Sequence, residues 1–135
     1  MELIKQVTSL ELSKKLMELG VPQHSCFYWN CKDEKVVYNK HLGVAPIDFG
    51  RGYVSAFTVA ELGEMLPDSI TENGQTALLE TRRCNGGWYI RYITIYRNSV
   101  IIPAHRQLIG DPNETEADAR AKMLIYLIEN KLISL

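Results

Sequence analysis

Along Thr115–Leu132 the apolar residues recur at spacings of three and four. Ala117, Ala121, Leu124, Ile128 and Leu132 share one face of a helix, Ile125 and Leu127 widen it, and Asp118, Lys122, Tyr126 and Glu129 form the wetter stripe. An apolar face this broad predicts packing across a sheet or into a groove between elements. Two shorter helices open with a shared signature. Thr8 with Glu11 and Thr58 with Glu61 read as reciprocal capping boxes, and Val7/Leu12 and Phe57/Leu62 read as the flanking hydrophobic staples. Leu12, Leu16 and Leu19 line the first of these helices, which Gly20 and Pro22 end. Val59, Leu62 and Leu66 line the second, which Pro67 ends. Thr115 is the expected cap of the long helix, with Asp118 as its weaker box partner.

Between the helices the period changes to that of strands. Residues 25–39 read as a hairpin turning at Lys32–Lys35, and residues 39–55, with Gly43, Pro46, Gly50 and Gly52, as a long loop. Residues 68–76 are polar, with Asn73-Gly74 as a turn signal. A three-stranded meander follows: Thr76–Arg83, a turn at Asn85-Gly86-Gly87, Trp88–Tyr96, a turn at Arg97-Asn98-Ser99, and Val100–Ile102. Strands that succeed one another without helical crossovers predict an antiparallel sheet. The expected fold is a single α+β domain over residues 1–135, hairpin plus three-stranded meander, with three helices mainly on one face.

Composition narrows the function classes. The 135 residues are 46% hydrophobic and 23% charged with a net charge of −1, so bulk nucleic-acid binding is not expected. No run is long and apolar enough for a bilayer, and residues 1–20 carry too many charges for a signal peptide, which points to the cytoplasm. Three cysteines in a reducing compartment are expected to be free thiols.

Phe57–Pro67 (FTVAELGEMLP), Glu114–Leu124 (ETEADARAKML) and the opening Val7–Leu12 (VTSLEL) together resemble a group of small phage- and prophage-encoded proteins of unassigned activity. The resemblance covers the three helices and rests on caps and core faces. It implies a phage-type origin in a host bacterial cytoplasm and nothing catalytic.

Candidate chemistry is sparse. His24, Cys26, Cys31 and His41 are soft metal-ligand types, but no C-x-x-C pair exists and Cys26 and Cys31 would face opposite sides of a strand, so no metal or other cofactor is expected. Cys84 with His105 has no flanking signature of a nucleophile and base, and of the carboxylates Glu61 and Glu64 the first is already used as a cap. The meander is different. Arg82, Arg83, Arg91, Arg97 and Arg106 fall on or beside it, interleaved with Trp88, Tyr89, Tyr92 and Tyr96. Guanidinium forks bind phosphate bidentately, and aromatic faces stack on bases. Arg51, between two glycines in Phe49–Tyr53, lies in a loop able to fold over that surface. The expected ligand-binding set is Arg51, Arg82, Arg83, Trp88, Arg91, Tyr92, Tyr96 and Arg97. The expected function is non-enzymatic binding of a small anionic ligand, such as a nucleotide-derived host defence signal, by a homo-oligomer. The alternative is a module that docks on a host protein and inhibits it.

Overall fold

A computed structural model describes residues 2–38, 52–72, 74–84, 86–94, 100–102 and 114–135. The fold is α+β with two open antiparallel sheets. A 3-10 turn at Leu3–Lys5 precedes α1 (Leu10–Glu18), then β1 (Phe27–Asn30), β2 (Lys35–Tyr38), β3 (Tyr53–Ser55), α2 (Val59–Met65), β4 (Ser69–Glu72), β5 (Gln75–Cys84), β6 (Gly87–Thr94), β7 (Val100–Ile102) and α3 (Glu116–Glu129). The first sheet has the order β2-β1-β3 and the second is the meander β4-β5-β6-β7.

Two strands lie where sequence predicts none. Tyr53–Ser55, the end of the expected long loop, pairs with β1, and Ser69–Glu72, read as polar linker, pairs with β5. Both are edge strands, and β4 is anchored by one buried residue, Ile70, while its other three are exposed. A strand held by one apolar contact has no detectable alternation. Between β4 and β5 Glu72 pairs with Gln75, and Gly74 has φ 76°, the left-handed backbone that two-residue hairpins need; Asn73 lies outside the described residues.

The helix starts follow the expected caps at α2 and α3 and depart from them at α1, and of the three expected reciprocal boxes the one at α2 forms. At α2 the box is complete: Thr58 Oγ1 accepts from Glu61 N–H at 3.2 Å, and Glu61 Oε2 accepts from Thr58 N–H at 2.7 Å. At α3 Thr115 Oγ1 accepts from Asp118 N–H at 3.1 Å. At α1, however, Ser9 is the cap, one residue after the expected Thr8. Thr8 is fully buried and is bonded elsewhere. Its N–H donates to Phe57 O at 2.9 Å, its Oγ1 accepts from Phe57 N–H at 3.0 Å, and its carbonyl accepts from Trp29 Nε1 at 2.7 Å. Its hydroxyl also lies 2.6 Å from Ser13 Oγ.

Both longer helices end in the same motif. Val21 N–H donates to Leu16 O and Gly20 N–H to Met17 O; likewise Leu132 N–H donates to Leu127 O and Lys131 N–H to Ile128 O. The left-handed residue is Gly20 in the first case and Lys131, at φ 57°, in the second, so α3 stops before the expected Leu132.

The core divides in two. The larger part joins Leu16, Phe57, Leu62, Leu66 and the buried side of α3 to Ile70, Ala77, Ile90 and Tyr92 on the inner face of the meander. The smaller gathers Val7, Trp29, Val54 and Ala56 behind the first sheet. Helix α3 packs on β6, α2 and α1, and α1 in turn packs on β3, so the helices connect the two sheets. Gly63 leaves room beside α2 for Arg120, whose guanidinium reaches Glu116 at 3.0 Å and Thr81 Oγ1 at 3.3 Å; a Cβ at Gly63 would sit 3.3 Å from that guanidinium.

Two stability outcomes are expected. Thr8→Val keeps the volume but removes the hydroxyl that Phe57 N–H and Ser13 use, so denaturant unfolding should show a loss of about 1–3 kcal/mol. Asp118 Oδ1 accepts from Ser9 N–H at 2.8 Å, tying the start of α3 to the start of α1. Burial raises the Asp118 pKa above the ordinary carboxylate value, against the lowering pull of the Ser9 hydrogen bond and Lys122, while Glu11 adds to the rise. The folded state therefore holds this proton more tightly than the unfolded chain, and stability is lost as pH climbs through the folded pKa. Asp118→Asn keeps an acceptor and is spared that loss, so its melting temperature should gain on the wild type as pH rises from acid to neutral. Asp118→Ala, with no acceptor, should melt below both at neutral pH.

Candidate functional site

The pairing of β5 with β6 decides which arginines and aromatics can act together. Leu78 faces Ile93 across the strands, Leu79 Tyr92, Glu80 Arg91, Thr81 Ile90, Arg82 Tyr89 and Arg83 Trp88. Alternation along a strand sends neighbouring pairs to opposite faces. Leu79/Tyr92, Thr81/Ile90 and Arg83/Trp88 lie on the face that meets the helices. Leu78/Ile93, Glu80/Arg91 and Arg82/Tyr89 lie on the other. The described residues of the expected site are therefore split between two surfaces.

Tyr92 leaves the set. It is fully buried in the core, and its hydroxyl donates to the Pro67 carbonyl at 2.7 Å. Burial, and secondarily the charge of Asp68, pushes its ionisation well above the ordinary phenol range. The cause is register: Tyr92 shares the inner face with Ile90, beneath α3. Arg91 is already engaged, with Nε 2.8 Å and Nη2 3.3 Å from the two Glu80 oxygens, which offsets its charge. Arg82 is exposed on that same face beside Tyr89. Arg51, Tyr96, Arg97 and Arg106 lie outside the described residues, as do His41 and His105.

Arg83 and Trp88 stay together. The guanidinium carbon of Arg83 sits 5.9 Å from the centroid of the Trp88 ring, a cation–π contact at the far end of the inner face. There the sheet runs past the helices, and a cleft of about 730 Å³ opens between it, the 3-10 turn and the first residues of α2 and α3. Arg83 and Trp88 form one wall, and Lys5 and Phe27 also line it. Glu114 and Glu116, at its α3 side, are paired with Lys122 and Arg120. Sequence reasoning assigned nothing to Lys5 or Phe27. They reach the cleft from separate segments, and no local pattern marks either.

The other candidates resolve into structural roles. Glu61 is occupied three ways, accepting from Cys26 N–H at 2.8 Å, Thr58 N–H at 2.7 Å and Thr58 Oγ1 at 2.9 Å. Burial and then the Glu61 charge raise the Cys26 thiol pKa, which disfavours the reactive thiolate. Cys26 and Cys31 are free thiols, His24 is exposed, and among the described residues no three His, Cys, Asp or Glu side chains are grouped to hold a metal ion. Of the nucleophile-and-base pair, the side chain of Cys84 is not described. No described helix is long and apolar enough to cross a membrane.

Because the Tyr92 hydroxyl satisfies a carbonyl within the fold, Tyr92→Phe should cost about 1 kcal/mol in denaturant unfolding, the typical net worth of one hydrogen bond. A tyrosine serving only as a ligand contact would leave the unfolding midpoint where it was.

No protein-family model, curated protein or solved structure matches the chain, so its activity is argued from its own residues.

Proposed function

We propose that this is a non-enzymatic, phage-type binding protein whose cleft between the meander and the starts of α2 and α3 takes a small anionic ligand carrying a planar ring. The observation that carries the reading is the Arg83–Trp88 stack on a cleft wall, with Lys5 as a second cation. An indole face offers stacking to any base, and a guanidinium beside it offers two parallel donors to a phosphate. A nucleotide-derived signal of a host bacterium has both groups, and the resemblance of the three helices to phage-encoded proteins supports that source. Sequestration needs no turnover. The raised thiol of Cys26 and the fully occupied carboxylate of Glu61 make both poor candidates for catalysis. In this reading the protein works as a homo-oligomer in the cytoplasm.

A second reading has its own observation. The outer face of the meander exposes Leu78, 42% accessible, beside Ile93 and Tyr89, a mixed surface of the kind that docks on another protein. A host protein captured at fixed stoichiometry, and lost with Leu78→Glu, would favour it.

The first reading is tested by thermal melting against a panel of cyclic and ADP-ribose-like nucleotides. A ligand at 100 times its dissociation constant adds about 2.7 kcal/mol to stability, a clear rise in melting temperature. Trp88→Ala should weaken binding by about 1–3 kcal/mol, the usual worth of one stacked base. Arg83→Ala should weaken it too, while Lys35→Ala, on the other sheet, should bind as the wild type does. No shift with any nucleotide, well above micromolar concentration, would overturn the proposal.

A further inference from the structure

The outer face of the meander carries three consecutive cross-strand pairs: Leu78 with Ile93, Glu80 with Arg91, and Arg82 with Tyr89. They are an apolar pair, an acid–base pair and a cation–aromatic pair. Neither Leu78 nor Ile93 belongs to either core cluster, and the described helices pack on the opposite face. Leu78 is 42% accessible, and the side chains of Glu80 and Arg91 are 28% and 27% accessible.

From this pattern we infer that the outer face of the meander is a dimer interface, and that its partner is a second copy of this chain. The face is self-complementary. Consider a two-fold axis parallel to the strands, between two stacked sheets and midway between β5 and β6. It keeps each residue's position along the strands but exchanges the strands, so β5 of one copy lies over β6 of the other. Each residue then faces the residue type that is already its cross-strand partner. Leu78 lies over Ile93 of the second copy, Glu80 over Arg91 of the second copy, and Arg82 over the ring of Tyr89 of the second copy. All three contacts attract, and each forms twice, as an isologous interface requires. A two-fold axis in the plane of the sheets but across the strands would instead bring Leu78 opposite Arg82, which has no such match.

The chemistry suits the geometry. Arg91 uses Nε and Nη2 on its own Glu80, and a guanidinium has five donors in all, so the fork can extend to Glu80 of the second copy. Two such pairs stacked make a four-charge network of zero net charge, arranged so that each carboxylate has two cationic neighbours. Sheets stack face to face about 10 Å apart, a separation these side chains span. The inference deepens the homo-oligomer reading above and is independent of the ligand, because the cleft lies on the other face of the sheet.

Sedimentation of the full chain tests it. The wild type should sediment as a dimer. Glu80→Arg alone sets cation over cation across the axis, and Arg91→Glu alone sets carboxylate over carboxylate, so each should sediment as a monomer. Mixed in equal amounts, the two variants should recombine as a heterodimer, since one presents two cations where the other presents two carboxylates. Leu78→Glu, at an exposed position that the fold does not depend on, should be a monomer with an unchanged circular dichroism spectrum. It keeps the test decisive if the charge variants fold poorly. A monomeric wild type, a dimer that survives Glu80→Arg or Leu78→Glu, or well-folded single variants that fail to recombine would each overturn the interface. A nucleotide-induced rise in melting temperature is read separately, so failure of this interface leaves the ligand result standing, and the reverse.

Discussion

The fold turns on one buried residue. Thr8 exchanges two hydrogen bonds with the backbone of Phe57, accepts a third from the Trp29 indole, and touches Ser13 through its hydroxyl. These partners belong to the junction before α2, to the central strand of the first sheet and to the first helix. A buried polar group left unpaired is costly, and every described polar atom of Thr8 has a partner here. The consequence is geometric: the extended chain before α1 is fixed against the β3–α2 junction, so α1 can sit only where Ser9 begins it. From there its buried Leu16 joins the larger core and its Met17 packs on the smaller. Glu61 does a related job, joining its own helix start to the residue before β1.

Much of this was legible, in a graded way. The box at Thr58–Glu61, the cap at Thr115, the stop at Gly20 and the left-handed Gly74 are local chemistry, and local chemistry can be read from neighbours in sequence. The shift of the first cap from Thr8 to Ser9 could not be read, because both hydroxyls suit the position and the choice depends on Phe57 and Trp29, far along the chain. The edge strands at Tyr53–Ser55 and Ser69–Glu72 were hidden for another reason. Strands this short, and in the second case with one buried side chain, give no period to detect. The stop at Lys131 was hidden because lysine gives no hint of a left-handed backbone.

The candidate site shows the same division. That Arg82 and Arg83 point to opposite faces follows from their adjacency in a strand. Which face the helices cover does not, and that one bit sends Tyr92 into the core and leaves Arg83 with Trp88 at the cleft. Among the described residues the cluster of arginines is thus two smaller features with separate chemistries: a mixed outer face bearing Glu80, Arg82 and Arg91, and a cation–aromatic wall inside a cleft. Lys5 and Phe27 join that wall only through the tertiary fold, from segments that carry no mark of it.

The hydrogen bond from Ser9 to Asp118 spans 109 residues. It means that α1 is completed only once α3 has been made. During synthesis α1 leaves the ribosome before α3, so its start lacks this partner until α3 follows, and α1 also packs against α3. Contacts of such long sequence separation close late and slow folding. Between the synthesis of α1 and that of α3 the nascent chain therefore holds a helix whose start lacks its partner and whose apolar face lacks part of its cover.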